Sequence, residues 1–252
     1  MIRLALMLVL LLTTPLRAEE VVAGLSQNRI SITTNFDGSE ILIFGAVKRE
    51  AQIPQDPPMH VIVTVAGPSE PIVVRKKDRR FGIWINTEAV EVDSAPSFYA
   101  VATSGPWTQA IDDTEDLRHR VSVRRGIRSV GAPAEVADAG RFTDALIRIR
   151  EANQLYQTQI GAVALEEQTL FSTSIALPAN LTEGDYTVRF LLTRGGVVQD
   201  IHETEIFVQK VGLERFLYTL AHEQPLVYGL LSLFIAIAAG WSASAFFRYV
   251  RG

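Results

Sequence analysis

The residues with the clearest capacity for chemistry lie together at 75–86, RKKDRRFGIWIN. Arg75, Lys76, Lys77, Arg79 and Arg80 gather five cations around Asp78, with Phe81 and Trp84 close behind. Cations beside aromatics suit a nucleic-acid backbone with stacked bases, an anionic lipid headgroup layer, or an acidic protein partner. The four histidines, His60, His119, His202 and His222, stand singly and never in the H-x-x-x-H spacing that puts two imidazoles on one helix face. Cys is absent, so thiol nucleophiles, thiolate metal sites and disulfides are excluded. Met59 is the only methionine beyond residue 18, too few for a thioether copper site. No G-x-S-x-G or S-x-x-K motif presents an activated serine. Asp112, Asp113, Glu115 and Asp116 follow one another along a helical turn, which reads as a solvated helix start and not as an acid–base pair across a cleft. The sequence therefore offers no catalytic residue, cofactor-binding residue or metal ligand, and the chain is expected not to be an enzyme.

The two ends narrow the meaning of the basic stretch. Residues 1–18, MIRLALMLVLLLTTPLRA, combine Arg3, a short apolar run from Leu4 to Leu12, and a polar stretch ending at Ala18. This is the layout of a secretory signal peptide. Residues 226–247, LVYGLLSLFIAIAAGWSASAFF, carry no charge and are long enough to cross a bilayer as a helix. Arg248 and Arg251 follow in a tail at 248–252, so the positive-inside rule places the C-terminus in the cytoplasm and the body in the periplasm, on a single pass through the bacterial inner membrane. Removing Arg3, Arg17, Arg248 and Arg251 from the 24 bases leaves 20 against 28 acids, a net of −8 for the body. An exported acidic body is a poor partner for phosphate backbones, so nucleic acid is excluded.

Between the ends the period is mostly that of strands. ISITTNF and SEILIFGAV flank Asp37-Gly38, a two-residue hairpin signal. HVIVTVAGP is apolar throughout and reads as a buried strand. PIVVRKKDRRFGIWIN reads as a hairpin turning near Lys77-Asp78, with the basic residues at its tip and Trp84 available as an anchor. WTQAIDDTEDLRHRV is a short helix, and GRFTDALIRIREANQLY spaces Phe142, Leu146, Ile149 and Ala152 or Tyr156 at helical intervals. DYTVRFLLTRGGVVQDIHETEIFVQKV is a closing hairpin. Leu177 to Val188 follow the LP-x-N-L-x-x-G-x-Y-x-V pattern with which Ig-like modules enter their last hairpin. The expected architecture is mainly β: an Ig-like antiparallel β-sandwich with inserted α-helices and one C-terminal transmembrane helix. Its boundaries are a first sandwich half at 19–104, a helical insertion at 105–160, sandwich completion at 161–212, and a juxtamembrane amphipathic helix at 213–225. Within the span, Ser232, Ala236, Gly240 and Ser244 recur every four residues, a stripe that lets helices approach closely.

FDGSEILIFGAV, the Gly67-Pro68 pair, RRFGIWIN, SFYAVATS, TLFSTSIALPANLTEGDYTVRF and YGLLSLFIAIAAGW, in that order, resemble the alphaproteobacterial transmembrane proteins, a family with no established activity. The resemblance implies an association with membrane permeases of the sulfite-exporter type. The expected function is thus that of a non-enzymatic interaction or accessory module for another membrane component, such as a transporter, with self-association through the span as a further contact. A membrane-tethered sensor of a periplasmic ligand or ion is the alternative.

Overall fold

A computed structural model describes residues 19–33, 36–49, 56–129, 138–211 and 213–251. The expected signal segment at 1–18 lies outside the described residues. By contacts the chain divides into one unit of residues 1–30 and 37–208 and a second of residues 31–36 and 209–252.

The first unit is a β-sandwich. One sheet holds β1 (Glu19–Leu25), β3 (Ser39–Arg49), β10 (Leu170–Leu177) and β9 (Ala164–Glu166), in that spatial order. The other runs β2 (Arg29–Ile32), β12 (Val197–Lys210), β11 (Gly184–Arg194), β4 (Met59–Ala66), β7 (Tyr99–Thr103) and β8 (Tyr156–Gln159). The β3–β10 and β11–β4 ladders are antiparallel, whereas β7 and β8 pair in parallel. Phe171 on β10 meets Phe190 on β11 across the two layers, with ring centroids 5.9 Å apart. Alternation along β3 follows from this one-sided burial, Ile41 and Ile43 turning inward while Leu42 and Phe44 face out.

β4 breaks the alternation because both of its faces are covered. Seven of its eight residues are buried. On neighbouring β11, Phe190 points to the opposite sheet, while Arg189 and Thr193 bond to the helical segment on the far side. That segment comprises α1 (Trp107–Ala110), α2 (Asp113–His119), α3 (Val123–Gly126) and α4 (Gly140–Ala152). The continuous apolar run of β4 is therefore the signature of a central strand between a sheet and a helical layer. Ile111 and Asp112 leave helical geometry, so the stretch read as one short helix is two, α1 and α2. On α4 the helical spacing buries Phe142 and Leu146 but leaves Ile149 half exposed.

The crossover from β10 to β11 ends in a side-chain clasp: Tyr186 Oη donates to the Thr182 carbonyl, four residues upstream, at 2.8 Å. Its ring is buried beside Phe98. β11 and β12 turn at Gly195-Gly196, both at positive φ (57° and 81°), as a tight primed turn needs.

The Asp37-Gly38 expectation is overturned. β2 and β3 do not pair; β2 joins β12 in the six-stranded sheet, and β3 sits between β1 and β10 in the other. Gly38 still takes a positive φ of 110°, but the segment carries the chain from one layer to the other. Burial of the inward face of each strand outweighs the local turn signal.

The second unit contains α5 (Leu213–Glu223) and α6 (Pro225–Arg251). Pro225 occupies the first turn of α6, where its missing N–H costs nothing. Pro225–Phe246 has a mean hydropathy of 1.9 and none of it is buried, so it is long and apolar enough to cross a membrane. The helix continues through Arg248 to Arg251.

Candidate functional site

The basic stretch belongs to a third, two-stranded sheet of β5 (Ser69–Arg80) and β6 (Ile83–Pro96). Its root is fixed to the body. Val90, Val92 and Ala95 are buried, and Ser94 bridges Arg128 by a reciprocal pair of backbone bonds at 2.8 and 3.1 Å. An isolated hairpin is marginal in water, so this anchored root holds the ribbon formed. A register shift between Lys76 and Lys77 marks where the arm leaves the body. Beyond it nearly every residue is exposed.

The turn lies at Phe81-Gly82, not at Lys77-Asp78 as the charges suggest. Arg80 pairs with Ile83 and Arg79 with Trp84, and Phe81 and Gly82 adopt φ of 51° and 84°. Two successive positive φ angles make the two-residue turn that matches strand twist. Arg75, Lys76, Lys77, Arg79 and Arg80 therefore line one strand behind the apex, and the apex itself is aromatic. Phe81 is fully exposed, Trp84 is 69% exposed and Ile83 64%. Directly paired residues share a face, so Arg79 and Trp84 lie on one side of the ribbon and Arg80 and Ile83 on the other. Lys76 is paired to Glu88 at 2.9 Å, while Arg80 stands a loose 3.9 Å from Asp78.

The structure brings none of the histidines together. His60 is buried, donating or accepting at Nδ1 with Ser104 Oγ at 3.3 Å, and its Nε2 has no partner among the described residues. Burial holds its pKa below the ordinary imidazole value. His119 lies 3.5 Å from Glu115 on its own helix, His202 against the ring of Phe190, and His222 stacked on Tyr218. Among the described residues no three metal-ligating side chains converge.

The acids of α2 depart from the solvated helix start read from sequence. Glu115 and Asp116 are buried. Asp116 accepts from the Val121 and Ser122 backbone N–H groups at 3.1 and 2.7 Å and from Ser122 Oγ at 2.8 Å, closing the turn after α2. Glu115 bonds Arg118 and takes the Val198 N–H at 3.2 Å. Glu115 secures the helical layer to β12 while Asp116 holds the layer's own turn, and these partners explain how charge is tolerated there.

A cluster the sequence does not announce lies at the sandwich edge. Glu19 Oε1 accepts from Arg49 Nε and Arg194 Nη2, each at 2.8 Å, with all three side chains about one-tenth exposed or less. It ties β1 and β3 of one sheet to β11 of the other. The three are separated by 30 and 175 positions, so only folding reveals them.

On α6, Ser232, Ala236, Gly240 and Ser244 are all exposed and share one face, and beyond the helix's own backbone no described atom would lie within 4 Å of a β-carbon at Gly240. Ser232 Oγ donates to the Tyr228 carbonyl at 2.8 Å, so its hydroxyl is satisfied within its own helix and the residue acts there by being small.

Among curated proteins none matches the chain. A family model does, over residues 20–249, which takes in the sandwich, the projecting hairpin and the apolar helix alike. With that match and a helix fit to span a bilayer, this is a membrane protein, and the chain belongs to the family described as "Putative transmembrane protein (Alph_Pro_TM)".

Proposed function

We propose that this protein is a single-pass inner-membrane protein whose periplasmic Ig-like domain serves as a non-enzymatic accessory module for another membrane component. The observation that carries the reading is the division of labour in exposure. The sandwich and its helical layer bury a core and leave half-exposed apolar residues such as Leu42, Phe44 and Ile149, whereas every large hydrophobic more than three-fifths exposed among the described residues lies at the hairpin apex or on α5 and α6. Such surfaces in a chain of this size mark contact with a partner or a bilayer. The strand order β1-β3-β10-β9 against β12-β11-β4, together with the Tyr186 clasp at the entry to β11, supports the Ig-like assignment. The cationic residues Arg248 and Arg251 after the span, and the signal-like first eighteen residues, support a periplasmic body. A transporter of the sulfite-exporter type is the partner the family resemblance favours.

Crosslinking in native membranes followed by affinity purification of the full chain tests this. Recovery of a multi-spanning permease in stoichiometric amount supports it. Recovery of the chain alone with a bound small molecule would replace it with the tethered-sensor reading.

A further inference from the structure

The apex of the β5–β6 arm has three properties that together select an occupant. First, Phe81 occupies a left-handed backbone conformation that costs a β-carbon-bearing residue about 1 kcal/mol, yet its side chain is wholly exposed. The turn would accept Asn or Asp more readily at that position, so the phenyl ring stands there against local preference. Second, apolar side chains emerge on both faces of the ribbon as well as at its end: Trp84 on one face, Ile83 and Ile85 on the other, Phe81 at the apex. A flat protein surface covers one face of a protruding ribbon, whereas a fluid layer surrounds it. Third, cations stand immediately behind on both faces, Arg79 and Lys77 on one, Arg80 and Lys76 on the other. Aromatic and branched apolar residues backed by Arg and Lys match the layering of a bilayer surface, with acyl chains beneath anionic headgroups.

Charge is consistent with this despite the acidic body. Residues 75–88 carry five cations and two acids, a net of +3, against −4 for the chain. Phe81 lies five strand positions beyond Lys76, about 16 Å at 3.3 Å per residue. That is about two Debye lengths at physiological salt, so the acids at the root are largely screened at the apex.

We propose that the β5–β6 apex is a lipid-binding site that inserts Phe81, Ile83 and Trp84 into the headgroup region of an anionic phospholipid surface, with Arg79 and Arg80 on the phosphates. The proposal rests on the membrane address of the preceding reading but requires no protein partner, so the crosslinking experiment can fail while this one succeeds, and the reverse.

The chain has no cysteine, which allows a single reporter to be placed cleanly. Full-length Phe81→Cys carrying an environment-sensitive fluorophore is reconstituted into vesicles of phosphatidylcholine alone or mixed with phosphatidylglycerol. Leu170→Cys, on the outer face of the four-stranded sheet, is the control. The expected result is a blue-shifted label at position 81, quenched by spin-labelled lipid and shielded from iodide only when phosphatidylglycerol is present. Adding Arg79→Glu and Arg80→Glu should reduce that shielding several-fold, and both sites are exposed enough to leave the fold intact. Equal iodide access with and without phosphatidylglycerol would overturn the proposal, as would equal shielding at position 170. Shielding found in native membranes but absent from pure lipid would also overturn it, assigning the apex to a protein instead.

Discussion

Replacing Glu19 by Ala removes the carboxylate that Arg49 and Arg194 share and leaves two guanidinium groups at the buried sandwich edge. Breaking a buried ion pair from one side costs about 3–5 kcal/mol, because the surviving charge stays desolvated. Here the survivors keep other acceptors: Arg49 reaches Thr169 Oγ1 at 3.3 Å and the Gln168 carbonyl, and Arg194 reaches the Pro57 carbonyl at 2.8 Å. The lower end, about 3 kcal/mol, is therefore expected. For a body of this size each kcal/mol moves Tm by about 2–4 °C, so the loss should be about 6–12 °C. Arg194→Met should cost less, since Glu19 retains Arg49 at 2.8 Å. Glu20→Ala is the surface comparison: its 3.6 Å pair with Lys48 is largely exposed on both sides, and such pairs contribute about 0–1 kcal/mol. Thermal unfolding of the full chain in detergent, followed by circular dichroism at one scan rate, ranks the three. A Glu19→Ala shift no larger than that of Glu20→Ala would refute the reasoning, and so would a larger loss for Arg194→Met.

Tyr156 gives a pH-dependent prediction: burial pushes its pKa to about 12 from 10.0, and its Oη donates to the Pro96 carbonyl at 2.8 Å. A raised acid pKa means the folded state favours the protonated phenol, so this contribution is complete below pH 10 and is lost as pH rises toward 12. Its full size is about 2–3 kcal/mol at 1.36 kcal/mol per unit; Tyr156→Phe should flatten the alkaline fall of Tm, with an unchanged profile as the contrary result. Gly45→Ala would place a β-carbon 2.4 Å from the Phe171 ring and 2.7 Å from the Val22 carbonyl oxygen, and since backbone cannot yield, a loss of about 1–3 kcal/mol is expected by denaturant titration. Trimming Phe171 to Leu in the same chain should recover only part of it. Gly240→Leu should abolish any self-crosslinking of α6 in membranes by filling the small-residue face, and undiminished crosslinking would remove that face as the interface.

Layering and strand character were legible in the sequence where burial was one-sided or complete. The apolar run of β4 and the alternation of β3 each state how many faces are covered. Turn chemistry misled twice, in opposite directions. Asp37-Gly38 is a strong hairpin signal in isolation, but inward burial of Ile30 on β2 and of Ile41 and Ile43 on β3 sends the two strands to different layers. Charge at Lys77-Asp78 looked like a turn, whereas a ribbon projecting into solvent can carry charge along its whole length, and the required positive φ angles fell at Phe81-Gly82. Glu115 and Asp116 read as solvated because sequence reports the acid and not its acceptor geometry. The hydrogen bonds that make burial affordable come from residues five and six positions on and from β12.

On the proposed lipid contact, the placement of Phe81 separates function from folding in this chain. Stability resides in residues that touch each other across layers, and among the described residues the apex touches nothing that would reward its strain. Burying the root while freeing the tip lets the tip diverge from turn preference without endangering the sheets, because the strain, about 1 kcal/mol, falls on a residue outside their packing. Were the apex only a solubilising edge, cations alone would serve, and Asn-Gly would be the less strained turn. Strain at an exposed aromatic, on an arm that carries cations on both faces of the ribbon, is what the proposed insertion of the ring into a lipid surface would account for.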